Sequence, residues 1–220
     1  MQKIDRKFRL ARIWSNDELK KYAHLFEGNV INVSAGENID KQGKTYDQYF
    51  INASKFSLSN YSPGSFRGYE GRPNEHLIDL EKPLMEELKR QFDVVFNHTT
   101  LEHVFDVFTA FKNLCDLSND VVILVVPFAQ EQHETTDFFD YWRLTPTCIR
   151  ELFKRNGFSV IYESSNNDFN ACTYLFSIGS RKPEKWVEKF PLIEPERNAA
   201  NWIGSNPEKK SFFGKILNKL

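Results

Sequence analysis

His133 and Glu134 lie side by side, a few residues after the long apolar run of residues 121–126. An imidazole titrates near neutral pH, so it can take a proton from a reacting group, and a neighbouring carboxylate can orient it. We predict that His133 is a catalytic base and that Glu134 orients it. The alternative is a solvated loop histidine without a chemical role.

Two further histidines, His98 and His103, follow another apolar run, residues 92–97. They are five residues apart, which on a helix separates two side chains by about 140°. The chain also contains no Cys-x-x-Cys and no His-x-x-x-His pattern. We therefore predict no metal site, and we expect Glu102 to cap a helix and His103 to pack on it.

Tyr141, Trp142 and Arg143 combine two aromatic rings with a guanidinium a few residues after His133. Aromatic faces pack well on sugar rings, and arginine binds phosphate. We predict that the three residues form a wall of an acceptor-binding site. For Trp142, packing in the core is the competing explanation.

The elements that must position these residues form a βαβ unit. Residues 92–97 and 121–126 are near-continuous apolar runs, typical of strands buried on both faces. Between them, Thr99 and Glu102 have the spacing of a capping box, so we predict a helix that begins at Thr99 or Thr100. Its apolar face is predicted to comprise Leu101, Val104, Phe105, Phe108, Phe111 and Cys115. Ligands of such sheets bind beyond the carboxyl ends of the strands, here residues 97–102 and 127–133.

The remaining pattern predicts five more strands and three more helices. The strands are residues 30–33, 55–59, 76–80, 158–163 and 172–178, and the short connection between the last two predicts an antiparallel pair at a sheet edge. One helix is expected from Ser15, where Ser15 and Glu18 form a second capping box, to Phe26. The others are expected over residues 83–91 and from Thr145 to Gly157.

Composition limits the class of protein. With 220 residues, 40% of them hydrophobic, the chain is long enough for one ordered domain with a full core. A net charge of -1 gives no support for nucleic-acid binding. The three cysteines are widely spaced, no apolar leader follows Met1, and no apolar run reaches membrane-spanning length. We expect a cytoplasmic protein that is neither secreted nor membrane-spanning.

The order of elements resembles the seven-stranded sheet of class I S-adenosylmethionine-dependent methyltransferases. Residues 92–97 with Leu101-Glu102-His103-Val104 are similar to the fourth strand and the following helix of the type 11 branch. Residues 140–146 resemble a segment found in members that belong to surface-polysaccharide biosynthesis. The resemblance covers residues 29–180 and implies a Rossmann-like α/β sheet, mostly parallel with an antiparallel edge strand, with helices on both faces.

The resemblance also implies S-adenosylmethionine as cofactor and a set of residues around it. The family has an acid and three glycines near the first strand, where this chain has Asn32, Ser34, Gly36 and Asn38, and an acid after the second strand, where this chain has Asn60. The implied cofactor-binding residues are Asn32, Ser34, Ala35, Gly36, Asn60, Asp79, Leu80, Asn97, His98 and Thr99. For residues 34–36 the alternative is an ordinary tight turn, and for Asp79 a capping role.

We accordingly divide the chain into a covering helix (1–28), a methyltransferase-like domain (29–180) and a charged tail (181–220). The end of the tail alternates lysines with apolar residues at helical spacing, which suits an anionic membrane surface or docking on the domain itself. The expected activity is methyl transfer from S-adenosylmethionine to a hydroxyl of a sugar or glycan precursor, or to a small metabolite. The rival interpretation is a methyltransferase fold that has lost the cofactor and serves as a binding or scaffolding subunit.

Overall fold

The computed structural model describes residues 7–166 and 172–191. Its strands are β1 (Gly28–Val33), β2 (Ala53–Asn60), β3 (Glu75–Leu77), β4 (Phe92–His98), β5 (Ser118–Ala129), β6 (Ser159–Ser165) and β7 (Thr173–Ser180). The α-helices of the described ranges are α1 (Leu10–Tyr22), α2 (Val107–Leu117) and α3 (Pro146–Arg155). All seven predicted strands are present, with ends that differ by a few residues.

The strands form one sheet in the order β3-β2-β1-β4-β5-β7-β6. β1 to β5 pair in parallel with their neighbours, and β7 is antiparallel to both β5 and β6. The predicted fold class is therefore confirmed. The antiparallel strand is second from the edge, because β6 pairs with its outer side.

Alternation along the central strands divides the core between the two faces of the sheet. On β4 and β5, Val95, Val122 and Leu124 face α2 and α3. Their neighbours Phe96 and Ile123 face the side covered by α1. Each of these five side chains is fully buried, because both faces are covered by helix or loop.

The predicted helix after β4 begins later than expected. Thr99 has a left-handed backbone (φ 50°), and its N–H donates to the Val125 carbonyl at 2.7 Å, which prolongs the sheet pairing. A single 3-10 turn (Leu101–His103) follows, and α2 starts at Val107 with the Asp106 carboxylate accepting the Thr109 N–H. The predicted apolar face is wrong at Phe105 and Phe108, which are exposed, and correct at Leu101, Phe111 and Cys115.

Two other helix predictions need correction. α1 begins at Leu10 rather than Ser15. Ser15 and Glu18 lie inside this helix with buried side chains, so they do not form a capping box. Glu18 instead accepts the Tyr162 hydroxyl at 2.5 Å. Residues 83–91 contain only a 3-10 turn (Glu86–Leu88). The helix after Thr145 is confirmed, since the Thr145 hydroxyl accepts the Cys148 N–H at the start of α3.

The first two crossovers of the sheet contain no α-helix. β1 leads to β2 through residues 34–52, with one 3-10 turn (Tyr46–Gln48), and β2 leads to β3 through residues 61–74. Parallel strands are usually joined by a helix that covers the sheet. Here these loops run beyond the carboxyl ends of the strands and enclose a cavity there.

The described part of the tail packs against the α1 side of the sheet. Trp186 and Phe190 are buried and contact Phe26, with ring centroids 5.1 and 6.4 Å from that of Phe26. The predicted amphipathic helix at the end of the tail lies outside the described residues. Among residues 7–166 and 172–191, no helix has the length and apolarity to cross a membrane.

Candidate functional site

A cavity of about 830 Å³ lies at the carboxyl ends of the parallel strands. It brings together most of the residues predicted from the sequence: Asn32, Ser34, Ala35, Gly36, Asn60, Asp79, Leu80, His98, Thr99, His133, Glu134 and Tyr141. Asn97, Trp142 and Arg143 do not line it. The cavity is where parallel α/β sheets bind their ligands, and its volume lies within the usual range for small-molecule sites.

The loop after β1 is held in place by Asn60. Gly36 donates its N–H to Asn60 Oδ1 at 2.7 Å, and Asn60 Nδ2 donates to the Gly36 carbonyl at 3.2 Å and to Glu75 Oε1 at 2.6 Å. The side chain of Asn60 thus forms three hydrogen bonds within the protein. A carboxylate at this position has no N–H to donate to the Gly36 carbonyl or to Glu75.

Ser34, Gly36 and Asn38 have left-handed backbones, with φ of 59°, 57° and 60°. Asn32 Nδ2 donates to Asn38 Oδ1 at 2.9 Å, and Asn38 Nδ2 donates to Asp47 Oδ1 at 3.1 Å. The side chains of Asn32 and Asn38 therefore brace this loop.

Asp79 and Leu80 follow β3 and line the cavity together with Ile78. Asp79 Oδ1 accepts the Glu81 N–H at 2.9 Å, which is the capping role considered as the alternative. Its Oδ2 is left for a ligand donor beside two apolar side chains. Asp79 thus combines a local structural contact with a place on the cavity wall.

Asn97 is buried at the end of β4 rather than in the cavity wall. Its Nδ2 donates to the Val33 carbonyl at 3.0 Å and ties the end of β4 to the end of β1. Its Oδ1 is buried without a hydrogen-bond partner among the described residues. The side chain therefore positions the loops beyond both strands.

His98 connects the cavity to α1. Arg12 Nη1 donates to His98 Nδ1 at 2.7 Å, and His98 Nε2 lies 2.8 Å from the Ser15 hydroxyl, which itself donates to the Arg12 carbonyl. Burial and the Arg12 charge hold the pKa of His98 well below its ordinary value. The imidazole is thus neutral, with its proton on Nε2, and α1 forms part of the cavity wall.

His133 has a buried carboxylate behind its ring, and this carboxylate belongs to Asp140. Asp140 Oδ2 lies 3.1 Å from His133 Nδ1 and accepts the His133 backbone N–H at 2.7 Å. The Asp140 side chain has no exposed surface, and Arg143 binds both of its oxygens at 2.6 Å. The prediction that Glu134 orients His133 is wrong, since Glu134 is exposed and Asp140 occupies that position.

Ionised Asp140 determines which nitrogen of His133 carries the proton. Burial alone raises the pKa of Asp140, but the Arg143 guanidinium and the His133 backbone N–H outweigh it and hold that pKa below its usual value. A carboxylate needs a donor on Nδ1, so Nε2 is the basic nitrogen. The Gln130 atom placed 2.8 Å from Nδ1 is Nε2, so a donor on Nδ1 requires the Gln130 amide to be turned so that Oε1 faces it. Burial also lowers the pKa of His133, opposed by Asp140, so the ring is neutral near pH 7.

Arg143 and Trp142 stabilise the loop that carries His133 and do not face the cavity. Besides Asp140, Arg143 donates to the carbonyls of Trp142 and Glu131 at 2.7 and 3.1 Å. Trp142 Nε1 donates to the Val104 and Phe105 carbonyls, and its ring packs against the core. The contacts of Trp142 thus correspond to the competing explanation, packing in the core.

Exposed aromatic side chains surround the cavity mouth. Phe105 and Phe139 are 67% and 60% exposed and lie within 6 Å of Tyr141, measured between ring centroids at 5.3 and 5.8 Å. All three line the cavity. Tyr141 therefore belongs to an aromatic rim, in which its partners are phenylalanines and not Trp142.

Sequence reasoning missed several residues of this site. Arg12 lies outside every motif, and only its place on α1 brings it to His98. Asp140 stands in the segment that carries the resemblance, but its role depends on a loop conformation that no periodicity encodes. Arg9, Lys41 and Arg67 also line the cavity. The sequence signal for these three residues is that basic side chains occur just before α1, in the loop after β1 and in the loop after β2.

Comparison with known proteins identifies the fold. No family profile and no curated protein matches the sequence. The fold is that of class I S-adenosylmethionine-dependent methyltransferases. Magnesium protoporphyrin IX methyltransferase from Synechocystis PCC 6803, solved with bound S-adenosylmethionine, is similar with a TM-score of 0.55 and 15% identity, over 79% of this chain and 81% of that chain.

Two further solved structures share the fold. 1,6-didemethyltoxoflavin-N1-methyltransferase from Burkholderia thailandensis has a TM-score of 0.51 and 14% identity, over 76% of this chain and 80% of that chain. An S-adenosylmethionine-dependent methyltransferase from Clostridium acetobutylicum has a TM-score of 0.52 and 8% identity, over 80% and 92%. At such identities the likeness defines the fold.

Proposed function

We propose that this protein is a methyltransferase that uses S-adenosylmethionine to methylate a hydroxyl of a sugar or glycan precursor. The observation that carries the proposal is that His133 lines the cavity, at the place where parallel α/β sheets bind ligands, with the buried carboxylate of Asp140 behind its ring. The resemblance of residues 140–146 supports a role in surface-polysaccharide biosynthesis. The alternative acceptor is a hydroxyl of a small metabolite.

The cavity has the groups that this cofactor requires, with one difference from the resembled family. Ile78 and Leu80 offer an apolar slot for the adenine ring, and Asp79 Oδ2 an acceptor for its amino group. The loop at Ser34 to Gly36 and the backbone at His98 and Thr99 flank the part of the cavity that remains for the ribose and the methionine of the cofactor. Asn60 Oδ1 already accepts the Gly36 N–H, so it has one lone pair left for a ribose hydroxyl, and the second hydroxyl needs another partner.

The acceptor site is assigned to the aromatic rim and His133. When bound, S-adenosylmethionine would supply an electrophilic methyl group, whose bond to the sulfonium sulfur breaks as the acceptor oxygen bonds to the methyl carbon and S-adenosylhomocysteine leaves. Phe105, Phe139 and Tyr141 offer ring faces on which a sugar can stack. His133 Nε2 takes the proton of the acceptor hydroxyl, and Asp140 stabilises the imidazolium that forms.

Calorimetric titration with S-adenosylhomocysteine tests the cofactor site. We expect micromolar binding to the wild type and none to Gly36→Trp, which fills the cavity beside Arg67. Gly43→Trp is the matched control: Gly43 also has positive φ (83°), but it lies outside the cavity and faces open space. Gly43→Trp should bind as the wild type does.

One observation favours the rival function, a scaffolding subunit without cofactor. Asn32 and Asn60, two of the predicted cofactor-binding residues, use their side chains on the protein itself. Absence of binding up to about millimolar S-adenosylhomocysteine, where the free energy of binding is only about -4 kcal/mol, would overturn the enzyme and leave the scaffold. Binding followed by methylation in a screen of sugar acceptors would establish the enzyme.

A further inference from the structure

Four cationic side chains converge on one part of the cavity wall. Arg9 and Arg12 come from the start of α1, Lys41 from the loop after β1, and Arg67 from the loop after β2. Besides burial, the charges of Arg12, Arg67 and Arg9 act on Lys41 and lower its pKa, opposed by Glu37. The charges of the three arginines therefore reach Lys41.

No carboxylate of the described residues forms an ion pair within 4 Å of these cations, although the charges of Glu102 and Glu37 act on Arg12 and Lys41 from farther away. Of the ion pairs within residues 7–166 and 172–191, none involves Arg9, Arg12, Lys41 or Arg67. Asp40 precedes Lys41 on the cavity wall. Its carboxylate accepts hydrogen bonds from the Tyr49 hydroxyl and from the N–H groups of residues 42 and 44.

Arg12 and Arg67 are held in place rather than free in solvent. Arg12 binds His98 and lies 5.9 Å from the centre of the Tyr174 ring. Arg67 belongs to a loop closed by a 2.7 Å hydrogen bond from the Tyr69 N–H to the Tyr61 carbonyl. Its side chain packs so closely on Gly36 that a Cβ there would lie 3.2 Å from Arg67 Cδ.

The proposed cofactor does not neutralise this cluster. S-adenosylmethionine carries a sulfonium, an ammonium and one carboxylate, so it is itself net positive. Like charges that face a shared cavity favour an anion of more than one charge, because the anion relieves their repulsion as it binds. Arginine guanidinium groups also match phosphate oxygens in geometry.

We infer that Arg9, Arg12, Lys41 and Arg67 form an anion subsite that takes the phosphate of a phosphorylated sugar acceptor. This inference rests on the proposed function and names its substrate class. The phosphate binds at the cations while the sugar ring lies toward the aromatic rim, so that recognition of the acceptor depends on its charge.

The test uses the full chain saturated with S-adenosylhomocysteine and titrated with glucose 1-phosphate. Methyl glucoside serves as the uncharged counterpart and inorganic phosphate as the ion without a ring. We expect glucose 1-phosphate to bind at least about tenfold more tightly than methyl glucoside, and its binding to weaken as salt is added. Equal binding of the two sugars, or no binding of glucose 1-phosphate, would overturn the inference.

The double variant Arg9→Gln, Lys41→Gln removes two cations of the subsite, neither of which belongs to the proposed cofactor-binding residues. Its control, Lys44→Gln with Lys55→Gln, removes two exposed cations outside the cavity. We expect about tenfold weaker binding of glucose 1-phosphate in the first variant only, with unchanged S-adenosylhomocysteine affinity. Equal weakening in both variants, or loss of S-adenosylhomocysteine binding from the first, contradicts the subsite. Failure of the wild type to bind S-adenosylhomocysteine instead contradicts the proposed function, so the two failures are distinct.

Discussion

Asp140 Oδ2 lies 3.1 Å from His133 Nδ1, although six residues, including the acidic Glu134 and Asp137, separate the two along the chain. Arg143 holds both oxygens of Asp140, and the carboxylate is fully buried. The pair therefore has a fixed geometry, whereas Glu134 is exposed. This relationship makes Asp140, and not Glu134, the residue that sets the protonation of the proposed base.

Asp140→Asn is expected to lower kcat of the proposed methyl transfer about 10- to 100-fold with little change in the KM for S-adenosylmethionine. An amide no longer stabilises the imidazolium that forms in the transition state. Because Asp140 raises the pKa of His133, its loss should also move the acidic limb of the pH profile to lower pH. Steady-state kinetics across pH measures both effects.

Glu134→Gln is the matched control for this prediction, since it makes the same change of charge one residue from His133. We expect its kcat and its pH profile to stay within about twofold of the wild type, because exposed charges interact weakly with their neighbours. Equal losses in the two variants would show that general charge, and not the contact with Asp140, matters.

Asn60→Asp introduces the acid that the resembled family has at this position, and we expect it to destabilise the protein. The new carboxylate has no N–H for the Gly36 carbonyl, and it stands 2.6 Å from Glu75 Oε1. The lost hydrogen bonds and the like charge should lower the free energy of unfolding by about 2–4 kcal/mol. Urea denaturation measures this loss.

The double variant Asn60→Asp, Glu75→Gln should recover part of that stability. A glutamine amide at position 75 can donate to the new carboxylate and removes the like charge. If the single and the double variant are equally unstable, repulsion from Glu75 does not explain the loss.

The strands of this fold could be predicted from the sequence, because a strand buried on both faces needs a continuous apolar run. Val94 to Phe96 and Val121 to Val126 provide such runs, and both form central strands. The position of the cavity then followed from the rule that ligands bind at the carboxyl ends of parallel strands. Twelve of the residues predicted for the site line that cavity for this reason.

The capping boxes misplaced two helices for one physical reason. In Ser15 to Glu18 and in Thr99 to Glu102, the acid is buried and binds or faces other elements, so it cannot cap. Spacing along the chain does not show which side chains tertiary structure will bury. The contact of Arg12 with His98 was equally hidden, since 86 residues separate the two.

Stability should fall in mild acid because His98 resists protonation. Its pKa in the folded state lies well below the ordinary 6.5, so below that pH the unfolded chain binds a proton that the folded chain does not. The free energy of unfolding then decreases as pH falls, by up to about 1.4 kcal/mol per pH unit from this group. Urea denaturation between about pH 5.5 and 7.5 measures the slope.

His98→Gln should flatten this pH dependence, since glutamine does not titrate and its oxygen can still accept from Arg12. The exposed His24→Gln serves as control and should leave the slope unchanged. A slope in His98→Gln as steep as that of the wild type would assign the effect to other groups.

Glu102→Gln is expected to stabilise the protein at neutral pH. Glu102 is 3% exposed, its Oε2 has no hydrogen-bond partner among the described residues, and burial raises its pKa. A raised pKa means that the folded state binds more protons, so this group costs stability as pH rises above its ordinary value of 4.5. Glutamine removes that cost, and we expect a gain of roughly 1 kcal/mol near neutral pH that vanishes in acid. Paired urea titrations at about pH 5 and 7 measure this gain, with the exposed Glu87→Gln as control. If Glu102→Gln is less stable than the wild type at neutral pH, the Glu102 charge stabilises the fold through Arg12 and Arg143 nearby.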